Sequence, residues 1–303
     1  MSKFLVTGGA GFIGGHLTEA LLDEGHEVVV VDDESAESSE KFNWFEESHN
    51  YKFSILEKDR LEEIFKKGID YVVHLAAETK IAITIENPEK CYKTNVMGTM
   101  NVLELSRKYN VKRVVAASTS AVYGMSPPPH TEDQECDCLN PYASSKMCNE
   151  ELGKLYFRLY DLEVVCFRFF NVYGERMPTT GFYAPVIAIF DRQKRAGQEM
   201  TITGDGEQKR DFIYVKDIVG GILAAVHAPR AQVGGKVFNL GSGKNYSVNQ
   251  IAKMLEGEYT YIPARVGDAR ETLADIDRAK HALNWYPKVE LSTWMSSFNR
   301  KRK

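Results

Sequence analysis

The sequence has few cysteines, and their number is odd. Five cysteines are scattered at positions 91, 136, 138, 148 and 166. This usage argues against a disulfide framework and favours a reducing, cytoplasmic location. Cys136 and Cys138 form the one close pair, with no second pair or nearby histidine to complete a metal-binding set. We therefore predict ordinary thiols and no metal site.

Long apolar runs and an excess of positive charge are also missing. No stretch approaches the ~20 residues that cross a membrane, and the start does not resemble a signal peptide. The net charge is −4, which gives nucleic acid or an anionic membrane no general attraction. With 43% hydrophobic and 26% charged residues, the composition is that of an ordinary globular protein. We expect neither nucleic acid nor membrane as a partner.

A glycine-rich turn between a strand and a helix is the first positive signal. The apolar run that begins at Lys3 predicts a buried strand, and residues 12–24 predict an amphipathic helix. The glycines between them follow the spacing of a dinucleotide fingerprint, at positions 8, 9, 11 and 14. Without β-carbons the backbone can approach a pyrophosphate, and the amides of the helix N-terminus meet its charge.

An acidic cluster ends the second predicted strand, which covers residues 27–31. Asp32 lies where a carboxylate accepts hydrogen bonds from an adenosine ribose. Asp33 and Glu34 follow it, and the next basic residue is Lys41. Three acidic groups disfavour a 2′-phosphate, so the pattern favours NAD over NADP. The alternative is an acidic loop that binds nothing.

Tyr142 and Lys146 lie four residues apart in a predicted helix, with Asn140 as its cap and Pro141 as its first residue. Their side chains therefore share one face. A nearby ammonium favours the tyrosinate and lowers the pKa of the phenol. Such a phenol can act as a general base toward an alcohol. Taken alone, a pair of this kind is more often a half-buried tyrosine beside a solvated lysine.

Predicted strands and helices alternate along the first half of the chain. After the first two strands, strands at 51–55, 71–75, 111–117 and 164–169 alternate with helices at 59–66, 87–109 and 142–160. This predicts an α/β fold, a Rossmann-like doubly wound parallel sheet with a smaller C-terminal lobe. We expect residues 1–169 to form the dinucleotide-binding domain, with 211–243 returning to it. Residues 170–210 and 244–303 are expected to form the substrate-binding lobe.

Eight motifs in a fixed order span nearly the whole chain. They are TGGAGFIG at 7–14, HLAA at 74–77, STSAVYG at 118–124, Tyr142 with Lys146, RFFNVYG at 168–174, GDGEQKRDF at 204–212, FNLG at 238–241 and RVGD at 265–268. Together they resemble the extended short-chain dehydrogenase/reductases, in particular the NAD-dependent sugar-nucleotide epimerase/dehydratase family.

The resemblance implies a bound NAD and identifies the residues that would contact it. These are Gly8, Gly11, Phe12, Ile13, Gly14, Asp32, Ser54, Ile55, Leu75, Ala76, Ala77, Asn95, Tyr142 and Lys146. At one position the chain departs from the family, where an Asp-Ile pair usually contacts the adenine. Ser54 replaces this Asp and can still hydrogen-bond, without charge.

Thr119 would complete the catalytic set with Tyr142 and Lys146. The resemblance places its hydroxyl between the substrate alcohol and the phenol, where it could share the proton in transfer. The alternative is that the hydroxyl only caps the next turn.

The resemblance also implies a nucleotide-sugar site. Asn171 would contact the diphosphate and sugar, and Asp268 the ribose. Arg210 and Arg265 match the family's two phosphate-binding arginines, whose rigid forks suit diphosphate oxygens. Thr272 stands where epimerases restricted to unsubstituted hexoses tend to carry Tyr. It would leave room for an N-acetyl group, unless it is only a small packing residue.

Ser120 and Ala121 help to choose between the reactions of the family. Its 4,6-dehydratases typically carry Asp and Glu at these positions, and its decarboxylases usually keep the Glu. The segment FYAPVI at 182–187 also resembles the substrate loop of the epimerases. We therefore predict 4-epimerisation of a UDP-hexose, the glucose/galactose pair and also the N-acetylhexosamines, through a transient 4-keto sugar.

Other functions stay open on this sequence. They are another sugar-nucleotide-modifying enzyme (a 4,6-dehydratase, a UDP-glucuronate epimerase or decarboxylase, or a reductase) and a non-catalytic NAD-sensing regulator. The family commonly pairs its two long helices, so the resemblance also implies a homodimer. The apolar stripes expected at that interface are Val96, Met97, Met100 and Leu103 on one helix, and Cys148, Leu152, Leu155 and Leu159 on the other.

Overall fold

The computed structural model describes residues 1–36, 42–179, 185–264 and 269–300. Its strands are β1 (Lys3–Thr7), β2 (Glu27–Asp32), β3 (His49–Lys52), β4 (Tyr71–His74), β5 (Arg113–Thr119), β6 (Glu163–Phe169), β7 (Asn171–Tyr173), β8 (Met200–Thr203), β9 (Lys209–Tyr214), β10 (Val237–Leu240), β11 (Asn245–Ser247) and β12 (Tyr259–Ile262).

The α-helices are α1 (Phe12–Asp23), α2 (Lys58–Phe65), α3 (Ile81–Glu86), α4 (Pro88–Tyr92), α5 (Gly98–Lys108), α6 (Pro141–Tyr160), α7 (Val186–Arg195), α8 (Val215–His227), α9 (Arg230–Val233), α10 (Val248–Leu255), α11 (Asp277–Leu283) and α12 (Leu291–Arg300). A π-helical turn (Lys93–Met97) joins α4 to α5, and a 3-10 turn (Ser120–Tyr123) follows β5. In the described parts of the chain, no helix is long and apolar enough to cross a membrane.

One seven-stranded sheet organises the larger part of the molecule, in the order β10-β6-β5-β4-β1-β2-β3. Every neighbouring pair in it runs parallel, so the carboxyl ends of all its strands lie along one edge. The direction of winding reverses between β1 and β4. Such a reversal leaves a crevice above the carboxyl ends, where open α/β sheets bind ligands.

Helices cover both faces of this sheet because its strands are apolar on both sides. Phe4 and Val6 pack in one core with residues of α1 and α8. Leu5 lies between them in sequence and packs in the opposite core with residues of α2 and α5. The predicted doubly wound α/β fold is therefore confirmed.

The remaining strands form two small sheets. β7, β9 and β11 make a three-stranded sheet, and β8 pairs with β12. A third core packs these strands against α7, α10 and α12, with Phe190, Ile251 and Trp294 among its buried residues. This smaller lobe stands beside the carboxyl edge of the large sheet.

Three predicted elements differ from the observed ones. β3 ends at Lys52, because the buried Phe53 and Ile55 belong to the turn beyond the strand rather than to the sheet. The predicted helix from residue 87 to 109 is interrupted by the π-helical turn. Of the segment 211–243, β10 lies in the large sheet, whereas residues 211–214 lie in the three-stranded sheet.

Candidate active site

A cavity of about 340 Å³ opens at the carboxyl edge of the large sheet, beside the point where its winding reverses. Twelve of the fourteen residues predicted to contact the cofactor, and Thr119, line it together with other residues of the same edge. The predicted ones are Gly8, Gly11, Phe12, Ile13, Gly14, Asp32, Ile55, Leu75, Ala76, Ala77, Thr119, Tyr142 and Lys146.

 These twelve include Tyr142 and Lys146, which were also predicted to be catalytic. Ser54 and Asn95 are the two that do not.

The glycine-rich turn is shaped by close packing at the floor of this cavity. Gly8 has φ +71°, and a β-carbon on it would lie 2.7 Å from the amide nitrogen of Ala76. A β-carbon on Gly14 would lie 2.1 Å from the carbonyl oxygen of Gly8. Gly11 precedes α1 and has no side chain to cap the helix, and Phe12, Ile13 and Gly14 of its first turn line the cavity. This geometry fits a diphosphate at the helix N-terminus.

Asp32 lies at the end of β2 and is buried at the rim of the same cavity. Its carboxylate accepts hydrogen bonds from the amides of Ala10 (3.1 Å) and Glu34 (2.8 Å). Burial raises the pKa of Asp32, although these two hydrogen bonds oppose the rise. Lys52 of β3 forms an ion pair with Glu34, a contact that linear spacing did not reveal. Lys41, the basic residue nearest in sequence, lies outside the described residues.

Ser54 and Asn95 have other partners. Ser54 accepts a hydrogen bond from the amide of Leu56 through its Oγ, as a turn residue does, while its neighbour Ile55 reaches the cavity. Asn95 is fully buried in the π-helical turn. Its side chain bonds both backbone groups of Glu78, accepting from the amide at 2.7 Å and donating to the carbonyl at 3.0 Å. Asn95 thus holds the loop after β4 instead of lining the cavity.

Two elements bring the proposed catalytic side chains together. The predicted caps are confirmed for α6, because Asn140 accepts a hydrogen bond from the Ala143 amide at 2.9 Å and Pro141 is the first helical residue. Tyr142 and Lys146 therefore lie on one face of this helix. Thr119 is the last residue of β5, and its hydroxyl forms a hydrogen bond with the Tyr142 phenol.

The hydroxyl of Thr119 has a second role. It accepts a hydrogen bond from the Ala121 amide at 3.1 Å and so caps the 3-10 turn. The capping role and the contact with Tyr142, which the sequence presented as alternatives, occur together. The cap holds the hydroxyl at the carboxyl end of β5, on the cavity wall.

The pKa values of Tyr142 and Lys146 are governed mainly by burial. Burial raises the pKa of Tyr142 to about 12, and the hydrogen bond with Thr119 opposes this rise. Burial lowers the pKa of Lys146 to about 8, and its ammonium donates to the carbonyl of Ala117 at 2.8 Å. The expected lowering of the Tyr142 pKa by Lys146 is therefore wrong for this arrangement. The group that lowers it here is Thr119.

A second cavity, of about 360 Å³, lies in the smaller lobe and shares Val172 with the first. It is lined by Asn171 and Arg210, two of the predicted substrate residues, and by apolar side chains of α7 and α10. Asn171 donates to the carbonyl of Asp211 at 3.0 Å. An apolar slot with a few polar groups suits an aromatic base joined to a polar chain.

The other predicted substrate residues are not seen in this cavity. Arg265 and Asp268 lie outside the described residues, as do 182–184 of the predicted substrate loop. Thr272 accepts a hydrogen bond from the Asp211 amide at 3.3 Å and donates its own amide to Lys209. It therefore lies against β9, next to Arg210, and lines neither cavity.

Thirteen residues that line the first cavity were not predicted from the sequence. They are Val31, Asp33, Ser35, Ala36, Phe53, Thr79, Thr94, Ala117, Ser118, Phe169, Phe170, Val172 and Pro178. Most directly follow a strand of the large sheet or stand at its last positions. Position at a carboxyl end is the signal that could have identified them.

Comparison with known proteins agrees with this geometry. Residues 4–241 match the NAD dependent epimerase/dehydratase family. A UDP-glucuronate 4-epimerase of Thermodesulfobacterium geofontis is 37% identical over 309 residues, covering 96% of this chain and 93% of that protein.

Two solved structures are similar over almost their full lengths. A UDP-glucose 4-epimerase of Thermotoga maritima with UDP-glucose has a TM-score of 0.92 and 35% identity, covering 99% of this chain and 100% of the other. A UDP-N-acetylglucosamine 4-epimerase of Methanobrevibacter ruminantium, in complex with UDP-N-acetylmuramic acid, has a TM-score of 0.91 and 31% identity, covering 98% and 96%. These similar proteins act on different sugars.

Proposed function

Because the chain belongs to the NAD dependent epimerase/dehydratase family, we propose that it is a 4-epimerase of a UDP-hexose. The observation that carries this proposal is the joint lining of one cavity by the glycine-rich turn and by Thr119, Tyr142 and Lys146. NAD bound there supplies the hydride acceptor, and afterwards the hydride donor, at the sugar carbon. The residues of the chain hold the reactants and move the proton.

Tyr142 is the residue to which we assign that proton. Its phenolate would take the proton of the sugar 4-hydroxyl as the alcohol becomes a ketone, and the phenol would return it when the ketone is reduced. Thr119 bonds the phenol from the end of β5 and stabilises the phenolate. Lys146 holds its ammonium on the Ala117 carbonyl at the same wall. The overall reaction inverts one carbon without net oxidation.

The wall around Thr119 supports epimerisation over dehydration. Ser120 and Ala121 form the turn that directly follows Thr119, and neither side chain can act as an acid or base for removing water. Among the described residues that line the cavity, the carboxylates are Asp32 and Asp33, both at the end of β2. No carboxylate of the described lining therefore stands at the Tyr142 wall.

The same wall supports a neutral sugar. Lys146 is the one basic side chain among the described lining residues, and its ammonium already bonds a backbone carbonyl. A hexose uronate would bring a carboxylate, and its charge would have no other cationic partner in the described lining. We therefore place UDP-glucose and UDP-galactose ahead of UDP-glucuronate.

Product identification tests the proposal. Purified protein is incubated with UDP-glucose, UDP-N-acetylglucosamine and UDP-glucuronate in separate reactions, without added reductant. We expect UDP-galactose from UDP-glucose, with no stoichiometric consumption of NAD. A 4-keto-6-deoxy or pentose product would refute the epimerase assignment, and conversion of UDP-glucuronate alone would refute the neutral sugar.

Acceptance of N-acetylhexosamines stays a prediction that rests on Thr272. Its hydroxyl is bound to β9, and it lies next to Arg210, a residue of the second cavity. If Thr272 sets the size limit, Thr272→Tyr will depress activity on UDP-N-acetylglucosamine selectively. Equal slowing of both sugars would remove Thr272 from the substrate site.

A homodimer through α5 and α6 is also proposed. Met97, which ends the π-helical turn before α5, is 51% exposed, and Leu155 and Leu159 on α6 are 39% and 63% exposed. Leu103 is only 1% exposed and belongs to the core, so its predicted place in the interface stripe is wrong. Light scattering at micromolar concentration should show a dimer. The five cysteines are free thiols, which supports the proposed cytoplasmic location.

A further inference from the structure

Next to the proposed catalytic residues lies a cluster of three buried polar side chains that the proposed mechanism does not use. Ser118 donates from its hydroxyl to Oε1 of Glu150 at 2.5 Å. Arg168 donates to the same oxygen through Nε at 2.9 Å and to Oε2 through Nη2 at 2.7 Å. The side chains of Arg168 and Glu150 are 3% and 0% exposed.

Each member of this cluster stands directly next to residues of the site. Ser118 precedes Thr119 on β5 and faces Arg168 across the β5–β6 pair. Glu150 follows Lys146 by one helical turn on α6, so it lies on the face that carries Lys146. One carboxylate therefore ties together the strand that bears Thr119 and the helix that bears Tyr142 and Lys146.

The cluster is well suited to fix the distance between β5 and α6. A bidentate contact between Arg and Glu has a fixed planar geometry, unlike a lysine contact. The Ser118 hydroxyl adds a third bond to the same carboxylate, although this residue also lines the cavity. Burial alone would lower the pKa of Arg168, but its bond with Glu150 and the negative charge there raise it overall. The Arg168 guanidinium therefore stays charged and bonded to Glu150.

We propose that Glu150, through Ser118 and Arg168, is a positioning residue that sets the contact between Thr119 and Tyr142. This inference rests on the proposed function, in which Tyr142 transfers the proton. Without the cluster, the end of β5 and the first turns of α6 would keep their folds. Their separation would vary more, and small displacements of a proton acceptor reduce turnover steeply.

Ser118→Ala is the decisive variant because it removes one bond and leaves the ion pair intact. We expect kcat to fall by about tenfold to a hundredfold while KM stays within about twofold, since the hydroxyl that is removed donates to the buried Glu150. Ser118→Thr keeps the hydroxyl and should recover most of the turnover. Ser106→Ala is the matched control, because Ser106 on α5 is also buried, its hydroxyl has no bonding partner in the described structure, and it lies away from the site.

The pH profile separates positioning from a purely structural role. Thr119 lowers the pKa of Tyr142, so a looser contact should raise it. The acid limb of the kcat profile should therefore move to higher pH in Ser118→Ala and in Glu150→Gln, and not in Ser106→Ala. The proposal is overturned if the acid limb does not shift and the lost activity is explained by less folded protein or by a higher KM.

The test of the proposed function is separate from the test of the positioning role. It is judged by the products of the wild-type protein, whereas positioning is judged by the variants relative to that wild type. If the wild type gives another product, the same comparison uses the reduction of bound NAD by the nucleotide sugar, followed by near-ultraviolet absorbance. Equal rates and equal acid limbs for Ser118→Ala and wild type in that step would refute positioning whatever the product.

Discussion

The two ends of the β5–β6 strand pair each carry an arginine–glutamate ion pair, and the surroundings of these pairs differ. At the amino end, Arg113 donates to Glu163 at 2.8 Å and also to backbone carbonyls at the C-terminal end of α8. At the carboxyl end, Arg168 and Glu150 share their contact with Ser118, beside the catalytic wall. The first pair joins strands to a neighbouring helix end, whereas the second joins a strand to the helix that carries the reactive phenol.

The difference extends along the whole sheet. Polar side chains at the carboxyl edge bond one another across several elements, as His74 does with Thr7 and Thr99. At the amino edge, the contact between Glu27 and Lys3 is more exposed and joins only the neighbouring strands β1 and β2. In a parallel sheet all carboxyl ends meet at one edge, so polar groups placed there can cooperate. Paired substitutions at the two edges test this contrast.

The largest contrast is expected between two tyrosines. Tyr142→Phe removes the titrating hydroxyl, so turnover should fall by about 10²–10⁴, the usual size of a general acid–base contribution. Tyr71 begins β4 at the amino edge, and Tyr71→Phe should leave turnover unchanged. Folding and NAD binding should survive in both. Steady-state rates decide the matter, and near wild-type activity in Tyr142→Phe would assign the base to another residue.

The next contrast concerns stability. Glu150→Gln leaves the Arg168 charge buried without its partner, which should cost about 3–5 kcal/mol of unfolding free energy. Glu163→Gln should cost about 1–2 kcal/mol, because Glu163 is 18% exposed and Arg113 keeps its backbone carbonyl partners. Urea unfolding measures both. Equal losses would show that the two ion pairs are equivalent.

β2 offers a contrast in cofactor retention. Asp32→Ala at its carboxyl end should weaken NAD binding by about 10- to 100-fold, the worth of a hydrogen bond to a charged group. Glu27→Ala at the amino end of the same strand should not change it. NAD content after purification and titration calorimetry give the comparison. Asp32→Asn keeps an acceptor for the Ala10 amide. This variant therefore shows whether weaker NAD binding comes from the lost charge or from a disturbed glycine-rich turn.

The smallest contrast is a pH effect. Burial lowers the pKa of His74 to about 3, so between pH 6.5 and 3 the unfolded chain binds a proton that the folded protein does not. Stability should therefore fall with decreasing pH by about 1.4 kcal/mol per unit in this window, or about 2 kcal/mol at pH 5.

His74→Asn should remove this part of the acid slope. His49→Asn, at the exposed first residue of β3, is the control. Urea unfolding at several pH values measures the slopes. If the two variants have the same slope, His74 does not carry the effect.

The sequence alone was enough to predict the fold class and half of the described residues that line the first cavity. Alternating apolar strands and helices, glycines at fixed spacing, and the Tyr142–Lys146 pair on α6 are local patterns. Their consequences follow from backbone geometry and from the spacing of one element. Twelve of the fourteen predicted cofactor residues therefore line one cavity.

Tertiary structure decided what depends on several elements at once. Asn95 and Ser54 are bound elsewhere, Thr272 lies against β9, and burial outweighs charge in setting the pKa of Tyr142. The link from Ser118 through Glu150 to Arg168 joins residues that are 32 and 18 positions apart. Desolvation and contacts between distant segments arise only when the elements pack together, so no local spacing could reveal them.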